Sequence, residues 1–69
     1  MSNGEYLIVM GKKIRSIRQA KGFSLQQIAV LASNHKSCVS DIETGKMNVK
    51  LLALKRIADV LEVDVKDFL

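Results

Sequence analysis

Apolar side chains recur every three or four residues along most of this 69-residue chain, with polar and basic side chains between them. In the first such segment Met10, Ile14 and Ile17 recur at helical spacing, which predicts an amphipathic first helix that ends at Gly22. Apolar residues also fill positions 6–9, and they either extend this helix backwards or form a short N-terminal arm. The hydrophobic pattern alone leaves both alternatives open.

A capping signal marks the start of the second helix. Ser24 is a favourable N-cap, and Gln27 three residues later completes a capping box, in which each side chain bonds the backbone N–H of the other. Phe23 and Ile28 stand at the two positions of a hydrophobic staple around that cap. The second helix is therefore predicted to begin at Leu25.

Ser33 and Asn34 interrupt the apolar pattern and predict a tight turn, because Asn tolerates the left-handed backbone conformation better than other non-glycine residues. A third helix follows at once and ends at Gly45. Val39 and Ile42 face inward in this helix. Its outer face is left to polar and charged side chains, namely Lys36, Ser37, Ser40 and Asp41.

The fourth helix is the most hydrophobic one. Asn48 can cap it, and its apolar residues form a wide stripe that is predicted to be the spine of the core: Leu51, Leu52, Leu54, Ile57, Ala58 and Leu61. Asp64 then begins a final turn, with Val63 and Phe68 placed as a second staple. The pattern as a whole predicts an all-α fold of five short helices.

The composition favours the same fold and limits the kinds of chemical site that the chain can form. The chain has no Pro, four Gly and only three aromatic residues, so its core is expected to consist of Ile, Leu, Val and Ala. One Cys and one His exclude an internal disulfide and a structural zinc site, and Cys38 is interpreted as a small hydrophobic residue. No hydroxyl stands beside a base at a recognisable spacing, and no Gly-rich phosphate loop is present. We therefore expect neither an enzyme nor a cofactor.

Positive charge is concentrated in the middle of the chain. Residues 10–50 carry eight basic side chains against two acidic ones, a net charge of +6, whereas residues 51–69 carry three against four, a net charge of −1. This uneven distribution of charge suggests a polyanionic partner, although a merely solvated basic surface would give the same net charges. The longest apolar run is too short to span a bilayer, so we expect no membrane association and a cytoplasmic location.

A set of markers is spread over nearly the whole chain: Ile14, Arg18, Gly22, Ser24, Ile28, Ala29, Val39, Ser40, Ile42, Glu43, Gly45 and the Leu-rich fourth helix. In this spacing the set resembles the phage-repressor (Cro/C1, XRE-type) helix-turn-helix family. The resemblance implies a compact five-helix lambda-repressor-like domain over residues 10–69, with residues 1–9 as an N-terminal arm or helix extension. It further implies sequence-specific binding of double-stranded DNA by a transcriptional regulator, expected to be a repressor that acts as a homodimer.

The resemblance also assigns roles to individual residues. Major-groove base contacts fall to the outer face of the third helix, at Lys36, Ser37, Ser40 and Asp41. Phosphate contacts fall to Gln26, His35, Thr44 and Lys46, with Lys13 as a weaker candidate. Arg18 is paired with Glu43 in a half-buried ion pair, which a planar guanidinium can make through two hydrogen bonds.

Several positions depart from the family pattern. Leu25 stands where the family usually has a Gln that binds phosphate and braces the third helix, so that contact is expected to be missing. Ser33 and Glu62 replace glycines. Val30 and Leu31 are apolar where the second helix is usually polar, which suggests either a partner site or a slightly rotated helix.

Two apolar clusters are candidates for a dimer interface, since a domain this small cannot easily cover both. One occupies positions 6–9. We favour the C-terminal one, because helix ends there recur as the dimer surface in similar repressors: Val63, Val65, Phe68 and Leu69. A two-fold dimer is expected to bind a palindromic operator with half-sites about 34 Å apart. The alternative function is an antitoxin or protein-binding adaptor of the same fold, whose main partner is another protein such as a toxin.

Overall fold

The computed structural model describes the whole chain, Met1–Leu69, and contains no strands. Its elements in chain order are α1 (Asn3–Ala20), α2 (Leu25–Leu31), α3 (Lys36–Glu43), α4 (Leu51–Leu61) and a C-terminal 3₁₀ helix (Val65–Phe68). The predicted all-α architecture is confirmed, and its fifth helix is this short 3₁₀ segment. None of the helices is both long and apolar enough to cross a bilayer.

The first helix, α1, is longer than the hydrophobic pattern required. It begins at residue 3, and the Ser2 hydroxyl caps it by accepting a 3.1 Å hydrogen bond from the Glu5 amide. The structure thus shows residues 3–9 as a backward extension of the helix and not as an arm. Met10 and Ile14 lie on the buried face of α1, and Gly22 adopts a φ of 80° just after its end.

The predicted capping box starts α2. The Ser24 hydroxyl accepts from the Gln27 amide at 3.1 Å, and the Gln27 side-chain oxygen accepts from the Ser24 amide at 2.8 Å. Because two backbone N–H groups at the helix start are satisfied by neighbours in the chain, this element is specified locally. Ile28 and Ala29 are buried against the core.

The turn between α2 and α3 uses Ser33, not Asn34, as its left-handed residue. Ser33 has a φ of 54°, whereas Asn34 accepts a 3.1 Å hydrogen bond from the His35 amide through its side-chain oxygen. The expectation for Asn34 was wrong, because the left-handed residue directly follows the Ala32 C-cap. Glu62 also has a positive φ, 58°, at the end of α4. Both residues stand where the resembled family has glycine. Because a side chain disfavours the left-handed conformation, each costs about 1 kcal/mol of backbone strain.

The start of α4 differs from the prediction in two respects. Its N-cap residue is Lys50, which makes no side-chain capping bond, so Asn48 does not cap the helix. Leu51 and Leu52 are 71% and 60% exposed, although the apolar stripe placed them in the core. The buried spine begins instead at Leu54, because no other element covers the first turn of α4.

The core draws on all four α-helices and the 3₁₀ helix. Its buried apolar residues are Met10, Ile14, Ile28, Ala29, Ala32, Val39, Ile42, Leu54, Ile57, Ala58, Leu61 and Phe68. Phe68 is fully enclosed, because the 3₁₀ helix folds back onto α1 and α4. This corrects its predicted place in a dimer interface, since no part of its side chain is accessible. Val63 and Val65 also pack against the core, which leaves Leu69 as the one well-exposed member of the predicted cluster.

The helices α1 and α3 meet at Gly11. A Cβ atom on Gly11 would lie 2.5 Å from the Ile42 carbonyl oxygen and 2.7 Å from the Glu43 carbonyl carbon, which is closer than such atoms approach one another. Only a glycine lets the two backbones come together here. The C-terminal end of α3 is thereby held directly on α1.

Gly11→Ala is expected to destabilise the domain by about 2–3 kcal/mol, because the added methyl group meets backbone atoms that cannot rotate away. Gly4→Ala is the matched control, since its Cβ would have only the Ser2 hydroxyl oxygen nearby, at 4.0 Å. Helix propensity predicts a gain of about 0.5 kcal/mol there. Urea denaturation followed by circular dichroism measures both changes. Equal stabilities of the two variants would contradict the tight crossing.

Candidate nucleic-acid interface

The short helices α2 and α3 are joined by residues 32–35. The Asn34 amide donates to the Ala29 carbonyl at 2.8 Å, which closes the turn directly behind the end of α2. Ala29 is buried between the helices and the core, and its small side chain permits their close packing. This arrangement holds α3 at the surface of the domain with one side uncovered.

One side of α3 is anchored in the core and the other is turned outward. Val39 and Ile42 are almost completely buried. The four predicted base-contacting residues lie on the opposite side, where the two in the first turn are exposed and the two in the next turn are half-buried. The structure brings them together on one surface, which we call the α3 face: Lys36, Ser37, Ser40 and Asp41.

The α3 face offers hydrogen-bonding groups of both kinds. Lys36 contributes an ammonium donor, Asp41 contributes carboxylate acceptors, and the two serine hydroxyls serve as either. The N-cap residue His35 makes no side-chain capping bond, so the first amides of α3 have no partner at that end of the helix. Cys38 lies inward of this surface, 3.9 Å from the Met47 sulfur and packed on the core, which confirms its interpretation as a small hydrophobic residue.

Four of the five predicted phosphate-contacting residues are exposed at or near the ends of α2 and α3: Gln26, His35, Thr44 and Lys46. The Thr44 hydroxyl is engaged within the chain, since it donates to the Ser40 carbonyl at 2.9 Å. Lys13 lies on α1 instead, and its ammonium donates to the Leu69 main-chain carbonyl at 2.9 Å.

Arg18 on α1 and Glu43 at the end of α3 form a buried ion pair. The Arg18 Nε donates to one carboxylate oxygen of Glu43 at 2.6 Å, and its Nη2 donates to the other at 3.0 Å. The remaining nitrogen, Nη1, donates to the Phe23 carbonyl at 2.8 Å. Both residues are less than a tenth exposed, at 8% and 7%, and no buried side-chain polar atom lacks a partner. The predicted pair is confirmed. Together with the bond to the Phe23 carbonyl, it links three parts of the chain: α1, the segment just before α2, and the end of α3.

Two glycines, Gly11 and Gly45, allow close backbone contacts with other parts of the chain, and the sequence analysis did not predict these contacts. Gly11 was missed, although a glycine inside a helical pattern is the signal that could have found it. Gly45 was predicted only as a helix end, yet its φ is 74° and a Cβ there would lie 2.8 Å from the Cα of Ile8. The backward extension of α1 is thus packed against the residue that ends α3.

Comparisons with known proteins agree with this geometry. A helix-turn-helix family model, HTH_3, matches residues 14–68. The chain is similar to the control protein C.BamHI of Bacillus amyloliquefaciens, with 36% identity over 63 residues that cover 90% of this chain and 78% of that protein.

Two solved structures have a similar fold. The restriction-modification controller protein C.AhdI from Aeromonas hydrophila gives a TM-score of 0.89 at 30% identity, covering 91% of this chain and 96% of that chain. SinR, the master regulator for biofilm formation, solved in complex with DNA, gives a TM-score of 0.81 at 33% identity, covering 86% and 95%. Both similarities extend over most of this chain.

Single substitutions Arg18→Ala and Glu43→Ala are each expected to destabilise the domain by about 3 kcal/mol, because each leaves an uncompensated buried charge. The double substitution is expected to cost much less than the two single losses combined. A double-mutant cycle by urea denaturation measures this coupling. Additive, near-zero losses would contradict the buried pair.

Proposed function

The chain belongs to the HTH_3 helix-turn-helix family of DNA-binding transcriptional regulators, which are not enzymes, and we propose that it reads duplex DNA with its α3 face. The observation that carries this proposal is the division of α3 into two sides. Val39 and Ile42 fix one side in the core, while the opposite side is polar and exposed or half-buried. A helix held in this way can enter a major groove without moving the rest of the domain.

The side chains of the α3 face match the donors and acceptors of base edges. Lys36 can donate to O6 and N7 of guanine, and Asp41 can accept from the N4 amine of cytosine. The hydroxyls of Ser37 and Ser40 suit either kind of partner. The carboxylate of Asp41 also repels phosphate, so it favours those sites that place a donor opposite it.

Groups around the α3 face are proposed to hold the DNA backbone. Gln26, His35 and Lys46 are exposed there, within the segment of net charge +6. The Thr44 hydroxyl can rotate from its carbonyl partner towards a phosphate oxygen. Lys13 is a weaker candidate, because release from the Leu69 carbonyl must come first.

The proposed regulator is a homodimeric repressor with a palindromic operator. Four base-contacting side chains on one protomer give limited specificity, and a two-fold dimer doubles them across half-sites about 34 Å apart. The cytoplasmic location stays a prediction. The antitoxin or adaptor alternative also stays a prediction, and it differs in requiring a protein partner instead of a DNA sequence.

Affinity for duplex DNA is expected to fall more than about a hundredfold between 50 and 200 mM salt, as it does when about four phosphates are neutralised. Fluorescence anisotropy with a labelled duplex selected from a random pool measures this dependence. The slope of log affinity against log salt counts the phosphates engaged. A flat salt response would remove the proposed DNA binding.

Lys36→Ala is expected to weaken binding to the selected duplex by about 1–3 kcal/mol and to weaken binding to scrambled duplex less. Asp41→Asn is expected to strengthen binding to scrambled duplex, because it removes a negative charge near phosphates. The added amide donor should also shift the preference at one position from cytosine towards adenine.

The control for Lys36→Ala is Lys66→Ala, which removes the same charge from the exposed surface of the 3₁₀ helix. All variants are titrated at one fixed salt concentration on selected and scrambled duplexes. If neither Lys36→Ala nor Asp41→Asn alters the ratio of the two affinities, α3 is not the reading element. The protein-binding alternative would then be the better account.

A further inference from the structure

The side of α1 that meets the end of α3 carries two cationic side chains to which the proposed function assigns no role. Lys12 lies four residues after Ile8, and Arg15 lies four residues after Gly11. Both Ile8 and Gly11 meet the end of α3 or the glycine that follows it, so each cation stands one helical turn further along that side. Both cations are exposed. We call this surface the α1 edge: Lys12 and Arg15.

The α1 edge is continuous with the surface that is proposed to hold the DNA backbone. The backbone of Ile8 packs on Gly45, where an added Cβ atom would lie 2.8 Å from the Ile8 nitrogen. Lys46 follows Gly45 at a Cα separation of about 3.8 Å, and Lys12 follows Ile8 after about 6 Å along the helix axis. The Lys46 amide donates to the Asp41 carbonyl at 2.9 Å, which holds Lys46 at the end of α3.

The charges of the α1 edge are not neutralised within the chain. Three ion pairs form in the structure, and none of them includes Lys12 or Arg15. The neighbouring Lys13 differs, because its ammonium donates to the Leu69 carbonyl at 2.9 Å. The one acidic residue of α1 is Glu5, which lies seven residues, or about 10.5 Å along the axis, before Lys12. Two like charges on neighbouring turns repel each other, so an anion bound between them would relieve this repulsion.

We propose that Lys12 and Arg15 bind phosphates of the DNA strand that passes the end of α3. The inference rests on the proposed DNA binding and extends its contacts from the helix-turn-helix to α1. A major groove that holds α3 is bordered by two phosphate backbones, and the α1 edge lies beside the end of α3, where one of these backbones passes. Ammonium and guanidinium groups suit phosphate oxygens, and such contacts position a protein without reading bases.

A rigid helix carries the two cations. The Ser2 hydroxyl caps the start of α1, and Gly11 lets the backbone of α1 lie directly on the carbonyl groups of Ile42 and Glu43. The α1 edge therefore has one placement relative to α3, unlike cations on a flexible arm. A duplex that seats α3 in its major groove meets both cations without a further ordering of the chain, which keeps the entropy cost of the contacts low.

Duplex titration of charge-neutral variants tests the α1 edge. Lys12→Gln and Arg15→Gln each remove one charge and introduce a residue of similar helix propensity. Each is expected to weaken binding about fivefold for each copy bound at about 100 mM salt, and to do so equally on selected and scrambled duplexes. The slope of log affinity against log salt should become shallower by about 0.9 for each copy bound. Lys12→Arg keeps the charge and should keep the slope of the parent chain.

The matched control is Lys66→Gln, which removes the same charge from an exposed position on the 3₁₀ helix. It should leave the slope unchanged, because Lys66 lies outside the α1 edge. Fluorescence anisotropy over a series of salt concentrations measures all variants, and circular dichroism confirms that each is folded. If Lys12→Gln and Arg15→Gln keep the slope of the parent, or if Lys66→Gln loses as much as they do, the α1 edge does not bind phosphate.

The same titrations separate this inference from the proposed function. A parent chain that binds duplex with a steep salt dependence, together with variants of the α1 edge that bind like the parent, would refute the α1 edge alone. A parent that prefers the selected duplex, and variants that weaken binding to it and to scrambled duplex equally, would support both. A parent that binds no duplex would refute both.

Discussion

The buried ion pair between Arg18 and Glu43 holds the helix-turn-helix in place. Two nitrogens of the Arg18 guanidinium donate to the Glu43 carboxylate at the end of α3. The third nitrogen donates to the Phe23 carbonyl, just before α2. Removing two charges from water costs several kcal/mol per ion, which is offset only while all these partners are in position. Gly11 adds the close approach of backbones that brings the end of α3 within reach. Together these contacts specify one placement of α2 and α3 relative to α1.

The helix α3 depends on this attachment more than on its own helical preference. It has eight residues and no side-chain capping bond, so it would be marginal as an isolated helix. Its order comes from Val39 and Ile42 in the core and from Glu43 at its end. Because these anchors alternate along the helix with the residues of the α3 face, the same packing orders the polar side chains. Such preorganisation would lower the entropy cost of the proposed DNA binding.

Most features that neighbouring residues determine were predictable from the sequence, with the left-handed residue of the α2–α3 turn and the N-cap of α4 as the exceptions, whereas features that distant contacts determine were not. The capping box at Ser24 involves four consecutive residues, and the inward side of α3 follows from the helical period. The exposure of Leu52 depends on whether another element covers the first turn of α4, and the tight site at Gly11 depends on where α3 crosses α1. No local pattern contains that information. The partner of Arg18, 25 positions along the chain, came from the family resemblance and not from periodicity.

The helix α2 is a rigid element that carries a proposed phosphate-contacting residue near its start. Gln26 and Leu31 are five residues apart, or about 7.5 Å along the helix axis. The helix is capped by Ser24 and held in the core by Ile28, so the distance and orientation between its two ends are fixed. Two copies in the proposed homodimer would consequently hold their α3 faces at one separation, and only half-sites with that spacing could be bound by both. In the proposed regulator the contacts between the two copies would determine the spacing of the operator, while the residues of α3 would determine its base sequence.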